Sequence, residues 1–190
     1  MRGIEDAIAR LCDPTAEVSA HYVIAPDGKL WQLVAEDQRA WHAGAGAWAG
    51  QSDINSRSIG IELVNSGAQP FPEPQMACLA GLMRGLMGRW DIPAHRVIGH
   101  SDMAPERKQD PGPRFDWRRL ACAGLAVWPE GLGQDHNLQR SLDQIGYPPA
   151  MPQYRLQAFR YRFLPTAKGP ETEHDRRRAS CVAAALKALC

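Results

Sequence analysis

A turn signal between two apolar arms does most to limit how this chain can fold. Residues 19–34, SAHYVIAPDGKLWQLV, set Pro26-Asp27-Gly28-Lys29 between runs rich in apolar and β-branched side chains. That pattern predicts a β-hairpin. The elements around it are equally legible. MRGIEDAIARLCDP places Ile4, Ile8 and Leu11 on one helical face and stops at Asp13-Pro14. IGIELVN (59–65) reads as a second apolar strand interrupted by one acid, Glu62. Residues 72–90 predict a helix whose stripe of Met76, Leu79, Met83, Leu86 and Trp90 is core packing. HisArgValIle at 95–98 predicts another strand, and FDWRRLACAGL (115–125) a further helix. Helix, hairpin, loop, strand, helix, strand, helix makes a mixed α/β fold: a central mixed sheet flanked by helices.

Residues 1–128 are expected to form this domain. PEGLGQDHN changes the texture, so 129–136 reads as a linker. Residues 137–190 carry three short helical patterns and read as a small helical appendage with solvated basic faces. The 190 residues suffice for one well-packed domain plus such an appendage. A net charge of +1 argues against a general nucleic-acid or anionic-membrane binder, and no apolar run is long enough to span a bilayer. The five cysteines, Cys12, Cys78, Cys122, Cys181 and Cys190, are odd in number, scattered and never spaced as CxxC, which argues against a Cys-rich zinc knuckle and a disulfide framework. Free thiols favour a reducing compartment, so a cytoplasmic location is expected, or a periplasmic one if the N-terminus is truncated.

The chemistry concentrates in GHSDMAPERKQDPG (99–112), a polar loop launched from apolar residues and stiffened by Pro105, Pro111 and Pro113. Imidazole and carboxylate are both zinc ligands, so His100 and Asp110 are candidate metal ligands; a solvated loop with a surface ion pair is the competing reading. Lys108, two residues from Asp110, is placed to steady an oxyanion, or is an exposed lysine beside Arg107. On 59–65, alternation puts Ile59, Ile61 and Leu63 on one face and leaves Gly60, Glu62 and Val64 on the other. Glu62 either faces solvent or serves as general base beside a glycine that lets a ligand approach. The Gly- and Ala-rich loop 41–58 is expected to wall a cleft. His42 in that loop and Asn65 are the candidate substrate contacts. His95, His136 and His174 read as surface residues.

Four ordered segments, SAHYVIAPDGKLWQLV, AWHAG, INSRSIGIELVN and GHSDMAPERKQDPGPRFDW, resemble the zinc-dependent N-acetylmuramoyl-L-alanine amidases of the type-2 amidase family. Peptidoglycan recognition proteins and a phage lysozyme are more distant relatives. The resemblance spans residues 1 to about 128. It implies a mixed sheet with zinc in a surface groove, and hydrolysis of the amide between N-acetylmuramic acid and L-alanine in peptidoglycan or muropeptides. It makes His100 and Asp110 the second and third zinc ligands, Glu62 the catalytic acid and Lys108 the oxyanion partner. The tail, with IleGlyTyr at 145–147 and LeuGlnAlaPhe at 156–159, is weakly similar to small peptidoglycan-binding modules. The family's first ligand, a histidine ending the first strand in an apolar-apolar-His-Tyr-Thr motif, has no counterpart in this chain. His21 stands in the wrong context, in the hairpin that follows the first helix. Either the chain is a truncated form of an active enzyme, or it is a metal-poor relative that binds muropeptide without cutting it. Retention of Glu62, Lys108, His100 and Asp110 favours the enzyme. The sequence fixes neither the oligomeric state nor the choice between intact wall and anhydro-muropeptide.

Overall fold

The Pro26–Lys29 turn closes the hairpin in a computed structural model that describes residues 3–189; Met1, Arg2 and Cys190, which the sequence reading includes, lie outside the described residues. Strand β1 (Tyr22–Ile24) pairs antiparallel with β2 (Leu30–Gln32), Val23 facing Trp31. Gly28 takes φ +87°, and a Cβ there would lie 2.8 Å from the Pro74 carbonyl oxygen, so the turn needs glycine twice over. Strand β3 (Ile61–Leu63) runs parallel to β1 on its other side, with Val23 opposite Glu62, giving the order β2-β1-β3.

Helices cover both faces of this small mixed sheet. Helix α1 (Ile4–Cys12) packs Ala7 and Leu11 against Val23 and Val64. Helix α2 (Glu73–Trp90) lays Met76, Leu79, Ala80 and Met83 on Ile24, Ile61 and Leu63. Alternation along β1 and β3 therefore divides the strands between two cores, as period-two patterning requires. Gln75, fully buried in α2, donates from Nε2 to the carbonyls of Ile24 (2.8 Å) and Val64 (3.3 Å), tying the helix to β1 and to the residue that follows β3.

Further along come α3 (His100–Met103), α4 (Trp117–Cys122), α5 (Leu138–Ile145), α6 (Pro152–Phe163) and α7 (Glu173–Lys187). Helices α5 to α7 share one apolar cluster with Trp48 and Ile54 of the 41–58 loop and with Met103 of α3. Leu142, Phe159 and Val182 are completely buried in it. No helix among the described residues is long and apolar enough to cross a membrane.

Three expectations require correction. Residues 95–98 form no strand: 94–96 make a 3-10 turn, and Val97 and Gly99 are extended without a ladder partner. A strand needs a neighbour within hydrogen-bonding distance, and the sheet among the described residues ends at β3 without taking up Val97–Gly99. Trp90 is not core but 46% exposed, its indole N–H donating to Glu36 at 2.6 Å. The basic residues of α6 are not solvated. Arg155, Arg160 and Arg162 are each at most 5% exposed, because each meets a carboxylate: Asp143, Asp175 and Asp102 respectively.

Candidate active site

Helix α3 is a single turn that begins at His100, so local hydrogen bonding alone cannot fix that imidazole. Its position comes from contacts on both sides. Nε2 of His100 lies 2.8 Å from the Ala43 carbonyl oxygen, and Nδ1 lies 2.9 Å from Asp110 Oδ2. Carbonyl and carboxylate oxygens can only accept, so Nε2 carries a proton and the Asp110 contact needs a second proton on Nδ1 or a cation in its place. A metal-binding histidine gives one ring nitrogen to the metal and donates from the other, a role the Nε2 contact with the Ala43 carbonyl would fill. Partial desolvation, the largest single effect, pushes the Asp110 carboxyl up, but His100, its own backbone amide and the Lys108 charge together hold it below its ordinary range. The 100–110 loop is closed by the Ser101 amide donating to the Asp110 carbonyl at 2.9 Å.

A cleft of about 1490 Å³ brings together Glu62, His100, Asp110, His42 and Asn65. Lys108 borders an adjoining recess of about 370 Å³ that shares His42 and His100 with the main cleft. The expectation that the 41–58 loop walls a cleft is met by His42, Trp48, Ile54 and Ser58. Burial raises the Glu62 carboxyl above its ordinary range, and the Asp110 charge adds to this, while His100 and Lys108 oppose it. The His42 ring packs directly on the Gly60 backbone, and burial drives its pKa down to about 4, helped by His21. His42 is therefore neutral near pH 7.

His21 has a different task. It is 1% exposed; Nδ1 accepts from the Gly60 amide at 3.0 Å and Nε2 faces the Gln38 carbonyl at 2.9 Å. Both ring nitrogens are thus committed to backbone groups, one at Gly60 and the other at Gln38. Asn65 is also engaged locally, its side-chain oxygen accepting from the Gly67 amide at 2.8 Å, an Asx turn that shapes the cleft border.

His100 and Asp110 offer zinc two adjacent donors of suitable chemistry. Among the described residues no group of three His, Cys, Asp or Glu side chains is disposed to hold a metal ion. The pair fits part of a zinc site, short of the three protein ligands usual in catalytic sites.

Sequence reasoning missed Arg107, whose Nη2 donates to the carbonyls of Ala43 (2.6 Å) and Ala45 (2.7 Å). It also missed Asp102, Tyr147 and Arg162, a buried group beneath His100. An acid three residues after Gly99, at the third position of a helical turn, was the one available signal.

Comparison with known proteins identifies the family of the chain. A family model described as N-acetylmuramoyl-L-alanine amidase matches residues 2–113. The N-acetylmuramoyl-L-alanine amidase AmiD of Escherichia coli is 40% identical over 142 residues, 66% of this chain and 51% of that protein. The 1,6-anhydro-N-acetylmuramyl-L-alanine amidase AmpD of Enterobacter cloacae is 45% identical over 103 residues, 54% of this chain and 55% of its own. The chain thus spans about half the length of these curated relatives. Among solved structures, Escherichia coli AmiD in complex with anhydro-N-acetylmuramic acid-L-Ala-D-gamma-Glu-L-Lys superposes with a TM-score of 0.84 at 31% identity, covering 98% of this chain and 85% of that one. AmpDh3 of Pseudomonas aeruginosa gives 0.84 at 28% identity, covering 99% and 89%. The chain belongs to the N-acetylmuramoyl-L-alanine amidase family.

Proposed function

We propose that this chain hydrolyses the amide between the lactyl group of N-acetylmuramic acid and the L-alanine of a stem peptide, with zinc as cofactor. One observation carries the reading: His100 commits its Nε2 proton to Ala43 and turns Nδ1 to Asp110 at the border of the cleft that holds Glu62. Solved relatives bound to anhydromuramic peptides support the substrate class.

His100 and Asp110 would hold the zinc, which supplies a Lewis acid for water and for the scissile carbonyl. Glu62 takes the proton from the attacking water. Its raised pKa brings the carboxyl closer to working pH, so the same group can return the proton to the departing L-alanine nitrogen. Lys108, across His42 and His100 in the adjoining recess, offers its ammonium to the developing oxyanion. His42, neutral, contributes hydrogen bonding and shape rather than charge. Asn65 shapes the cleft border through its turn.

The test is to incubate the protein, with and without added zinc, with an anhydromuramyl tripeptide and separately with intact sacculi, and to identify products by mass. Release of a peptide with a free L-alanine amine is the expected result, and the better substrate settles wall against recycled fragment. Tight muropeptide binding with full zinc occupancy and no cleavage would overturn the enzyme reading in favour of a binding protein.

A further inference from the structure

Beneath His100 lies a buried charge pair that the reaction scheme does not use. Asp102 is 1% exposed and accepts three hydrogen bonds: from the Gly99 amide at 2.8 Å and Arg162 Nη1 at 3.0 Å on Oδ2, and from the Tyr147 hydroxyl at 2.8 Å on Oδ1. Arg162, from the middle of the C-terminal helices, is 4% exposed and stacks over Trp117 with its guanidinium carbon 4.2 Å from the ring centroid. Tyr147 is held edge-on against Trp48, 5.2 Å between centroids.

The Gly99 amide held by Asp102 belongs to the residue that launches His100. Gly99 is also seated against Pro111, where a Cβ would fall 2.7 Å from the proline Cδ, next to Asp110. Ser101, between His100 and Asp102, holds the Asp110 backbone. One carboxylate therefore anchors the backbone from which both His100 and Asp110 project, and the groups that hold that carboxylate come from 45 and 60 residues downstream.

We infer that Arg162 and Tyr147, acting through Asp102, are positioning residues for the His100–Asp110 pair, so that the C-terminal helices help set the metal site. The link to metal rests on reading His100 and Asp110 as ligands, whereas the link to backbone order does not. Two readouts separate these: amide hydrogen exchange over Gly99–Met103, and zinc affinity measured against a competing chelator.

The deciding variant is Asp102→Leu with Arg162→Met, which removes both buried charges together and so avoids stranding either one. It should fold, exchange Gly99–Met103 at least about tenfold faster, and bind zinc about 10–100-fold more weakly, the usual loss when support behind a ligand is removed. Exchange in the 22–32 hairpin should not change. Arg162→Lys, which keeps a charge on Asp102, should recover most of the zinc affinity lost in Arg162→Met. A folded double variant with wild-type exchange over Gly99–Met103 would sink the inference outright. Faster exchange with unchanged zinc affinity would overturn the ligand reading and leave the backbone role standing. If the double variant does not fold, Tyr147→Phe decides: a few-fold faster exchange confined to Gly99–Met103 supports the inference, and wild-type exchange there overturns it.

Discussion

Gly60→Ala tests the floor of the cleft, because the added methyl has nowhere to go. The new Cβ would lie 2.2 Å from Cγ of His42 and 2.6 Å from Cδ2 and Nδ1 of the same ring. Cγ is the root of the ring, so turning the imidazole about its own axis gives no relief; the whole side chain must leave its rotamer. The backbone cannot yield easily either. The Gly60 carbonyl accepts from the His21 and Tyr22 amides, both at 3.1 Å, and the Gly60 amide is bonded to His21. Overpacking of this kind costs about 1–3 kcal/mol. Where space exists, Gly→Ala at a site with no need for positive φ instead stabilises by about 0.4–1 kcal/mol through the unfolded chain. Truncating the ring in His42→Ala should supply that space and reverse the sign. The coupling between the two positions should therefore be about 1.5–4 kcal/mol, the sum of the cost avoided and the gain released. Urea unfolding of wild type, both single variants and the double variant measures it from midpoints at constant slope. A coupling below about 0.5 kcal/mol, the ordinary scatter of independent sites, would show that His42 does not rest on Gly60.

Glu62→Ala should lower turnover by roughly 10²–10⁴ with little change in zinc uptake if the carboxylate is the base, and wild-type turnover would remove it from the mechanism. Because burial raises the Glu62 carboxyl, the acid limb of kcat/KM should fall above the ordinary glutamate range, and Glu62→Gln should abolish it; a limb at or below that range speaks against Glu62 as the titrating base. His42 titrates at about 4 when folded and near 6.5 when unfolded, so the unfolded chain binds the extra proton between those values. Its contribution is intact above pH 6.5 and is lost as pH falls toward 4, by about 3 kcal/mol at most, a dependence that His42→Phe should remove from denaturant midpoints. With His100 and Asp110 as its zinc donors, the protein should bind zinc below one equivalent at micromolar concentration, and elemental analysis showing full occupancy would direct attention to His42. Arg160→Ala strands the buried Asp175 carboxylate and should cost about 3–5 kcal/mol of stability, measured by denaturant midpoint, with wild-type stability refuting a buried pair.

The parts of the fold legible in the sequence are those decided locally. Pro26–Lys29 makes its turn from its own dihedral preferences, and the Met76, Leu79, Met83, Leu86 stripe announces a buried helix face by period alone. Glu62 was legible because strand alternation isolates it with Gly60 on one face. What failed depended on a partner elsewhere. Val97 and Ile98 have the composition of a strand and Val97 is extended, yet composition cannot say whether a neighbouring backbone stands within ladder distance. Arg155, Arg160 and Arg162 look like a solvated basic face until Asp143, Asp175 and Asp102 are seen opposite them. Trp90 continues the helical stripe by spacing, but α2 ends at that residue, and Glu36 draws the indole outward.

The site divides along the same line. His100 and Asp110 are ten residues apart, close enough for a single loop to announce them as a candidate ligand pair. The direction in which His100 points is set by Ala43, 57 residues upstream, and the carboxylate that anchors its backbone is neutralised by Arg162, 60 residues downstream of Asp102. Neither contact leaves a mark on the 99–112 segment itself. A loop can carry the right donors and still present them in the wrong direction, since catalytic constellations tolerate about 0.5 Å of error and a one-turn helix supplies little rigidity of its own. Residue identity in this site is thus a local property and orientation a property of the whole molecule. Substitutions at Arg162 or Tyr147 can therefore disturb chemistry in a segment whose own sequence is unchanged.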